Sequence, residues 1–454
     1  MFPRPPQTFP ARTILTMRTL KQLNWSYGVA ILVSLGLLYL VLYSLLVHQP
    51  AAGVTEIYFA DRITDAHRIL IDRYNTLNAG RIRVIPVDFP NVDFSTNERK
   101  EILARSLRGA EDGLDLIAVD IVWVKRFARW CEPMGKYFTP EELKRIVPDA
   151  LYSCQGDTEL LAVPLDMVQS TLYYREDLVK SLPGGEQAIR DLQNNMTWPD
   201  FLRLRTRFGY SGPFYVFPAA DYEGFICNYI ENLLGLKPDY FSTFGFNFDT
   251  PEGKRALQQM VDLLHRDGAS PPVVTSFTEA PSYAYFIKNN GLFLRGWTTY
   301  DMDFNDQPVD REKQQHMRKA PVPYFPGGKP ALLFGGWNLM MSRFSKKKEA
   351  VVDFVKFLLR DDSQEVFYGV SRYYPVVTSF YRDSASVRKY PEIAGIRELL
   401  KTGVHRPAVK DYTNYSKIMS HYFSLAIRNK ISVDEAVEGA TRDINADQSL
   451  AVAR

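Results

Sequence analysis

Residues Tyr27–Val47 (YGVAILVSLGLLYLVLYSLLV) carry no charged side chain. At 1.5 Å per residue a helix of that length spans roughly 30 Å, the hydrocarbon thickness of a bilayer. Arg4, Arg12, Arg18 and Lys21 precede the run, with no acid among them, and His48 to Val54 contain no Lys or Arg. The positive-inside rule then directs residues 1–26 to the cytoplasm and everything from Val54 onward to the extracytoplasmic side. The run exceeds the apolar stretch of about 7–15 residues usual in a signal peptide. Trp25, Tyr27, Tyr39 and Tyr43 also suit a resident helix, so 27–47 is expected to be a single-pass anchor. The alternative is a signal cleaved after Ala51-Ala52-Gly53; both readings deliver the same domain to the same compartment. No Cys follows the run, so lipoprotein processing is not expected.

The exported part is long enough for more than one layered core. The chain has 454 residues, 46% hydrophobic and 24% charged, so no metal or disulfide is required to hold it. A net charge of +3 with no basic tract beyond the N-terminus argues against a nucleic-acid partner. Cys131, Cys154 and Cys227 form no C-x-x-C pair and lie near no His at zinc-ligand spacing. A Cys131–Cys154 disulfide and three free buried thiols both remain open. Neither a metal nor a cofactor is expected.

A strand, helix, strand, helix, strand succession opens this part. The strands are Thr55–Ala60, Arg81–Val87 and Leu114–Val119, and the second helix is Glu98–Gly109; this is the signature of a parallel α/β sheet. Further helices are marked by their caps: Thr139-Pro140-Glu141-Glu142 and Thr250-Pro251-Glu252. Ser345–Leu359 is another helix, and the chain beyond Gly403 reads as mostly helical. The segment Leu160–Tyr174 is one long extended stretch with Pro164 in its middle. It suits a strand that leaves one sheet and enters another, as at a hinge between two lobes.

No catalytic signature survives inspection. Gly209-Tyr210-Ser211-Gly212 fails the spacing of a nucleophile elbow, and Phe325-Pro326-Gly327-Gly328-Lys329 reads as a tight turn rather than a phosphate loop. The six His residues are isolated. What the sequence does offer is chemistry for a sugar, which presents hydroxyls at its rim and apolar C–H faces. Carboxylates and amides serve the rim and flat rings serve the faces. Such residues gather at expected strand ends: Asp120 with Trp123, Asp166 past Pro164, Trp297 after Arg295-Gly296, and Trp337 after Gly335-Gly336. Singly, each Trp reads as core and each Asp as a cap or turn; the repetition favours a site.

Six stretches carry a family resemblance. They are DLIAVDIVWVKRFARWCEPM (115–134), LLAVPLDMVQSTLYYREDLV (160–179), MTWPDFLRL (196–204), DYEGFICNYIENLLG (221–235), FLRGWTTY (293–300) and APVPYFPGGKPALLFGGWNLMMSRFSKKKEAVVDFVKFLL (320–359). In order and spacing the chain from Val54 to about Ala446 resembles the bacterial extracellular solute-binding proteins, the family that includes maltose- and trehalose-binding proteins. The resemblance implies a two-lobed periplasmic-binding-protein-like α/β fold with a multi-strand hinge. The lobes it implies are 54–165 with 324–373, and 168–322 with 376–447. It also implies a cleft site of Asp120, Trp123, Asp166, Tyr222, Glu223, Trp297, Gly336 and Trp337, with Asp61 as a further candidate. Trp198 is expected to pack at a helix start. The family's lipobox is absent and the long apolar run stands in its place.

The resulting expectation is the binding component of an ABC importer, not an enzyme. It would close on a carbohydrate, an oligo- or disaccharide first, and deliver it to permease subunits in the membrane. A membrane-anchored sugar sensor is the first alternative. A carbohydrate-active enzyme using Asp120 and Glu223 as acid and base is the second.

Overall fold

The computed structural model describes residues 53–89, 96–109, 113–304 and 310–452. The expected anchor at 27–47 lies outside the described residues. Twelve strands are formed among the described residues: β1 (Thr55–Asp61), β2 (Ile82–Asp88), β3 (Leu116–Asp120), β4 (Cys131–Glu132), β5 (Val163–Pro164), β6 (Val168–Arg175), β7 (Tyr215–Val216), β8 (Phe293–Trp297), β9 (Met317–Ala320), β10 (Leu332–Gly335), β11 (Trp337–Ser342) and β12 (Gly403–Val404). They make two six-stranded sheets. The first has the order β2-β1-β3-β11-β4, with β5 also on β11; the second has the order β12-β10-β6-β8-β7, with β9 also on β6.

The first sheet grows from the βαβ units expected of the sequence. β1 pairs in parallel with both β2 and β3. The helix Asp65–Leu77 and the later helices Lys348–Leu358 and Asp361–Ser371 pack on this side. β3 is apolar through Val119 and buried, as a strand covered on both faces must be. β11 then enters antiparallel, and its register sets Trp337 opposite Asp120.

The second sheet is built around β6, buried along its whole length. Its helical layer is dominated by Glu223–Leu236, every residue of which from Gly224 to Gly235 is buried. Such a helix must satisfy its polar side chains internally. Asn228 donates to the Pro218 carbonyl at 2.8 Å, and Asn232 accepts from Trp198 Nε1 at 3.1 Å. Trp198 is thus a packing residue at the start of helix Trp198–Phe208, whose cap is Thr197. The caps at Thr139 and Thr250 form as the sequence predicts, Thr139 in a reciprocal box with Glu142.

The chain passes between sheets three times, once between β11 and β12 and twice at two adjacent points. One is Leu165–Met167, between β5 and β6; the other is Gly336, between β10 and β11. Leu165 N donates to the Trp337 carbonyl at 2.9 Å, and Met167 and Tyr374 exchange backbone hydrogen bonds of 3.1 and 2.8 Å. The extended stretch around Pro164 therefore does change sheets. The lobe limits expected of the sequence need adjustment against this pairing. β10, within 324–373, pairs with β6 in the second sheet. Val376 and Thr378 remain bonded to Val147 and Arg145, in the segment that follows β4. The passage falls at Gly336 because that residue alone there has the backbone freedom for it: φ is +132°, and an added Cβ would lie 2.5 Å from the Asp166 carbonyl oxygen.

All three cysteines are buried and none is bonded to another. Burial pushes the Cys131 thiol up to about 12.

Gly336→Ala is expected to destabilise by roughly 2–6 kcal/mol, the sum of positive-φ strain and overpacking against backbone. Gly327 also has positive φ, but nothing lies within 4 Å of its added Cβ. Gly327→Ala should cost only about 1–2 kcal/mol. Urea midpoints of the two variants check the ranking, and equal losses would contradict it.

Candidate functional site

A cleft of about 990 Å³, part of it open to solvent, lies where the two sheets meet at the crossing. β8 ends on one wall with Trp297, and β11 begins on another with Trp337. Both indoles are half-buried and line the cleft. Each is backed by a buried guanidinium. Arg99 sits 3.8 Å from the Trp337 ring centroid and Arg295 sits 4.6 Å from that of Trp297. Cation–π attraction holds such pairs, and each cation is itself pinned by a carboxylate. Arg295 donates to Glu231 Oε2 through Nε at 3.1 Å and an Nη at 2.9 Å, and Arg99 bonds Asp61. Two carboxylate–guanidinium–indole stacks thus fix the ring positions, one from each sheet. Gly335 keeps the space clear, since a Cβ there would touch the Trp297 ring at 3.0 Å.

The polar rim is organised by two arginines. Arg406, 3% exposed, donates to Asp120 Oδ1 at 2.9 Å and to Glu223 Oε1 at 2.8 Å. Asp120 closes β3 of the first sheet, whereas Glu223 opens the central helix beside the second. Arg406 therefore ties the two halves together. Glu223 is held further by the Tyr412 hydroxyl at 2.9 Å and by Ser416. On another side Arg62, just past β1, pairs with Asp303, which also accepts from the Tyr373 hydroxyl at 3.2 Å.

Six of the nine residues expected at the site line this cleft: Asp120, Tyr222, Glu223, Trp297, Gly336 and Trp337. The other three sit behind it. Trp123, 2% exposed, packs its ring edge-on against Trp337 with centroids 6.0 Å apart. Asp166 accepts from the Trp337 backbone N–H at 3.3 Å, and burial, aided by the nearby Asp61 charge, raises its carboxyl well above the usual range. Asp61 is buried against Arg99 and His67. Burial would raise its carboxyl, but the Arg99 charge and His67 outweigh that and hold it below the usual range. These three residues position the lining rather than belong to it.

Sequence reasoning missed Arg62, Glu279, Tyr300, Asp303 and Arg406, all of which line the cleft. Arg406 left one faint signal, an Arg just before Pro407 after the Gly403-Val404 strand, a context that favours extended backbone. Glu279 and Tyr300 resemble any helix-start residues.

The family profile of the bacterial extracellular solute-binding proteins matches residues 71–365, and the chain belongs to that family. A Deinococcus radiodurans relative named "Probable ABC transporter-binding protein" is 24% identical over 365 residues, covering 77% of this chain and 83% of its own length. Among solved structures, maltose-bound T. maritima MalE3 superposes with a TM-score of 0.75 at 24% identity, over 86% of this chain and 99% of that one. The cyclic α-maltosyl-1,6-maltose binding protein of Arthrobacter globiformis gives 0.66 at 22% identity, over 87% and 99%. A ribitol complex of a solute-binding protein from Agrobacterium radiobacter K84 gives 0.66 at 15%, again over 87% and 99%. The fold is therefore the two-lobed periplasmic-binding-protein-like α/β fold.

Arg406→Met leaves two mostly buried carboxylates without their shared cation and should cost about 3–5 kcal/mol in urea unfolding. A loss under about 1 kcal/mol, the worth of a surface pair, would contradict the burial described here. Asp61 gives a pH test. A carboxyl held below its ordinary 3.8 contributes stability above that pH and loses it as pH falls through the folded value. Asp61→Asn should therefore be destabilising at about pH 7, with the gap to wild type narrowing below about pH 4; a constant gap would contradict the pairing.

Proposed function

We propose that this chain is the extracytoplasmic substrate-binding component of an ABC importer, closing on a carbohydrate between two lobes. The observation that carries the reading is the pairing of two guanidinium-backed indoles, Trp297 and Trp337, in one cleft rimmed by carboxylates. Rings of this kind cover the apolar faces of a sugar. Asp120, Glu223 and Asp303 offer charged acceptors to its hydroxyls. The importer role is supported by the family and by the name of the Deinococcus relative. The sugar is supported by the maltose and maltosyl ligands named for the solved relatives, and the ribitol complex extends the class to polyols. An oligo- or disaccharide is the first expectation.

The two lobes are the bodies built on the two sheets, and the crossing at Leu165–Met167 and Gly336 is the hinge. Ligand contacts from both sides shift an open–closed equilibrium toward the closed form. Arg406–Asp120 and Arg62–Asp303 join the two sides and belong to that closed form. The uncharged run at 27–47 tethers the domain to the membrane beside the permease.

Calorimetric titration against mono-, di- and oligosaccharides and polyols tests the reading. At least one is expected to bind. Trp297→Ala or Trp337→Ala should weaken it roughly tenfold or more, since losing a stacked, buried ring costs at least about 1.5 kcal/mol and each 1.4 kcal/mol is tenfold. Failure of every sugar and polyol to bind would overturn the sugar assignment.

A further inference from the structure

We propose that the cleft recognises a ligand bearing a positively charged nitrogen, an amino sugar or amino-substituted glycoside, with its ammonium group on Glu279. This rests on the reading above and names the class of sugar. The first support is the balance of charge. Four carboxylates line the cleft, Asp120, Glu223, Glu279 and Asp303, against two guanidiniums, Arg62 and Arg406. Arg406 is shared between Asp120 and Glu223, and Arg62 pairs with Asp303. Among the described residues Glu279 makes no ion pair. Its position as the first residue of helix Glu279–Lys288 explains how the fold tolerates the charge, because helix N-termini favour anions.

The helix terminus does not explain what surrounds it. Tyr222 and Tyr300 are 7% and 1% exposed and line the same cleft; the Tyr222 hydroxyl reaches the Glu279 carboxyl, whereas the Tyr300 hydroxyl has no hydrogen-bond partner among the described residues. Both phenols lie close enough to Glu279 for its charge to push their ionisation further up, after burial itself. A buried hydroxyl such as that of Tyr300 is rarely left without a partner in a finished site. A carboxylate and two phenol oxygens offer three acceptors, the number of donors on an ammonium group. The rings of Tyr300, Phe304 and Trp297 line the same cleft, and aromatic faces attract a cation. Burial pushes the Glu279 carboxyl above its usual range, and a neutral hydroxyl beside it supplies no cation to hold it ionised. An acidic sugar meets a surplus of negative charge.

Matched trios differing at one substituent test this by calorimetry at neutral pH. One set is glucosamine, N-acetylglucosamine and glucose, and a second is the corresponding β1,4-linked disaccharides; the galacto series is a third. In at least one trio the free amine should bind roughly tenfold tighter than both partners, a 1.4 kcal/mol preference. Glu279→Gln should collapse that ratio toward one. Tyr300→Phe, which removes one hydroxyl and keeps the ring, should reduce it, and serves if Glu279→Gln does not fold. A neutral member binding as well as or better than its amine in every trio overturns the inference, and so does an amine preference unchanged by Glu279→Gln. If neutral sugars bind and amines do not, this inference alone falls. If no sugar or polyol binds, both readings fall.

Discussion

The structure depends on a close approach of backbone to backbone. Gly336 packs directly on Asp166 and Met167, so that two chain segments pass from one sheet to the other side by side. A Cβ at that point would collide with main-chain atoms, which cannot move aside as the tip of a side chain can. The contact has three consequences for the site. It puts Trp337 at the mouth of the crossing, opposite Asp120 on β3. It lets the Asp166 carboxyl fasten the Trp337 backbone. It also draws two of the three inter-sheet passages together, with Tyr374 of the third bonded to Met167, which is the multi-strand geometry of a hinge.

Charge does the remaining positioning. Arginines to which the sequence alone assigned no role sit at the structural nodes. Arg99 and Arg295 back the two indoles, whereas Arg406 and Arg62 join groups from the two sides of the cleft. Arginine suits these places because its planar fork binds carboxylates and stacks on rings at once. Buried ion pairs add little net stability, but removing one partner leaves an expensive orphan charge. The arrangement therefore favours one geometry of rings and carboxylates over alternatives.

The fold was legible wherever local physics decides it. The parallel strands β1 to β3, the Thr139 and Thr250 caps and the sheet change near Pro164 follow from periodicity, capping chemistry and proline. The site was legible in part, because strand ends before Gly or Trp are visible in sequence. Whether an indole at such an end faces ligand or core is not visible. Trp123 and Trp337 both lie beside strand ends of the first sheet, yet one is wholly packed and the other lines the cleft. Asp61 and Asp120 both end strands of one sheet, and their different surroundings are set by His67 and the distant Arg99 for the one and Arg406 for the other. Arg406 is 286 residues from Asp120 along the chain, and no spacing rule reaches that far.

The central claim is that a small polar ligand lies between Trp297 and Trp337 and contacts both lobes. A crystal structure of the complex with a bound sugar tests it most directly. The account requires ligand density in that cleft, with a sugar face against at least one of the two indoles and hydroxyls within hydrogen-bond distance of groups from both sheets. Density for the ligand at any other place on the molecule, with the cleft between the indoles holding only solvent, would contradict it.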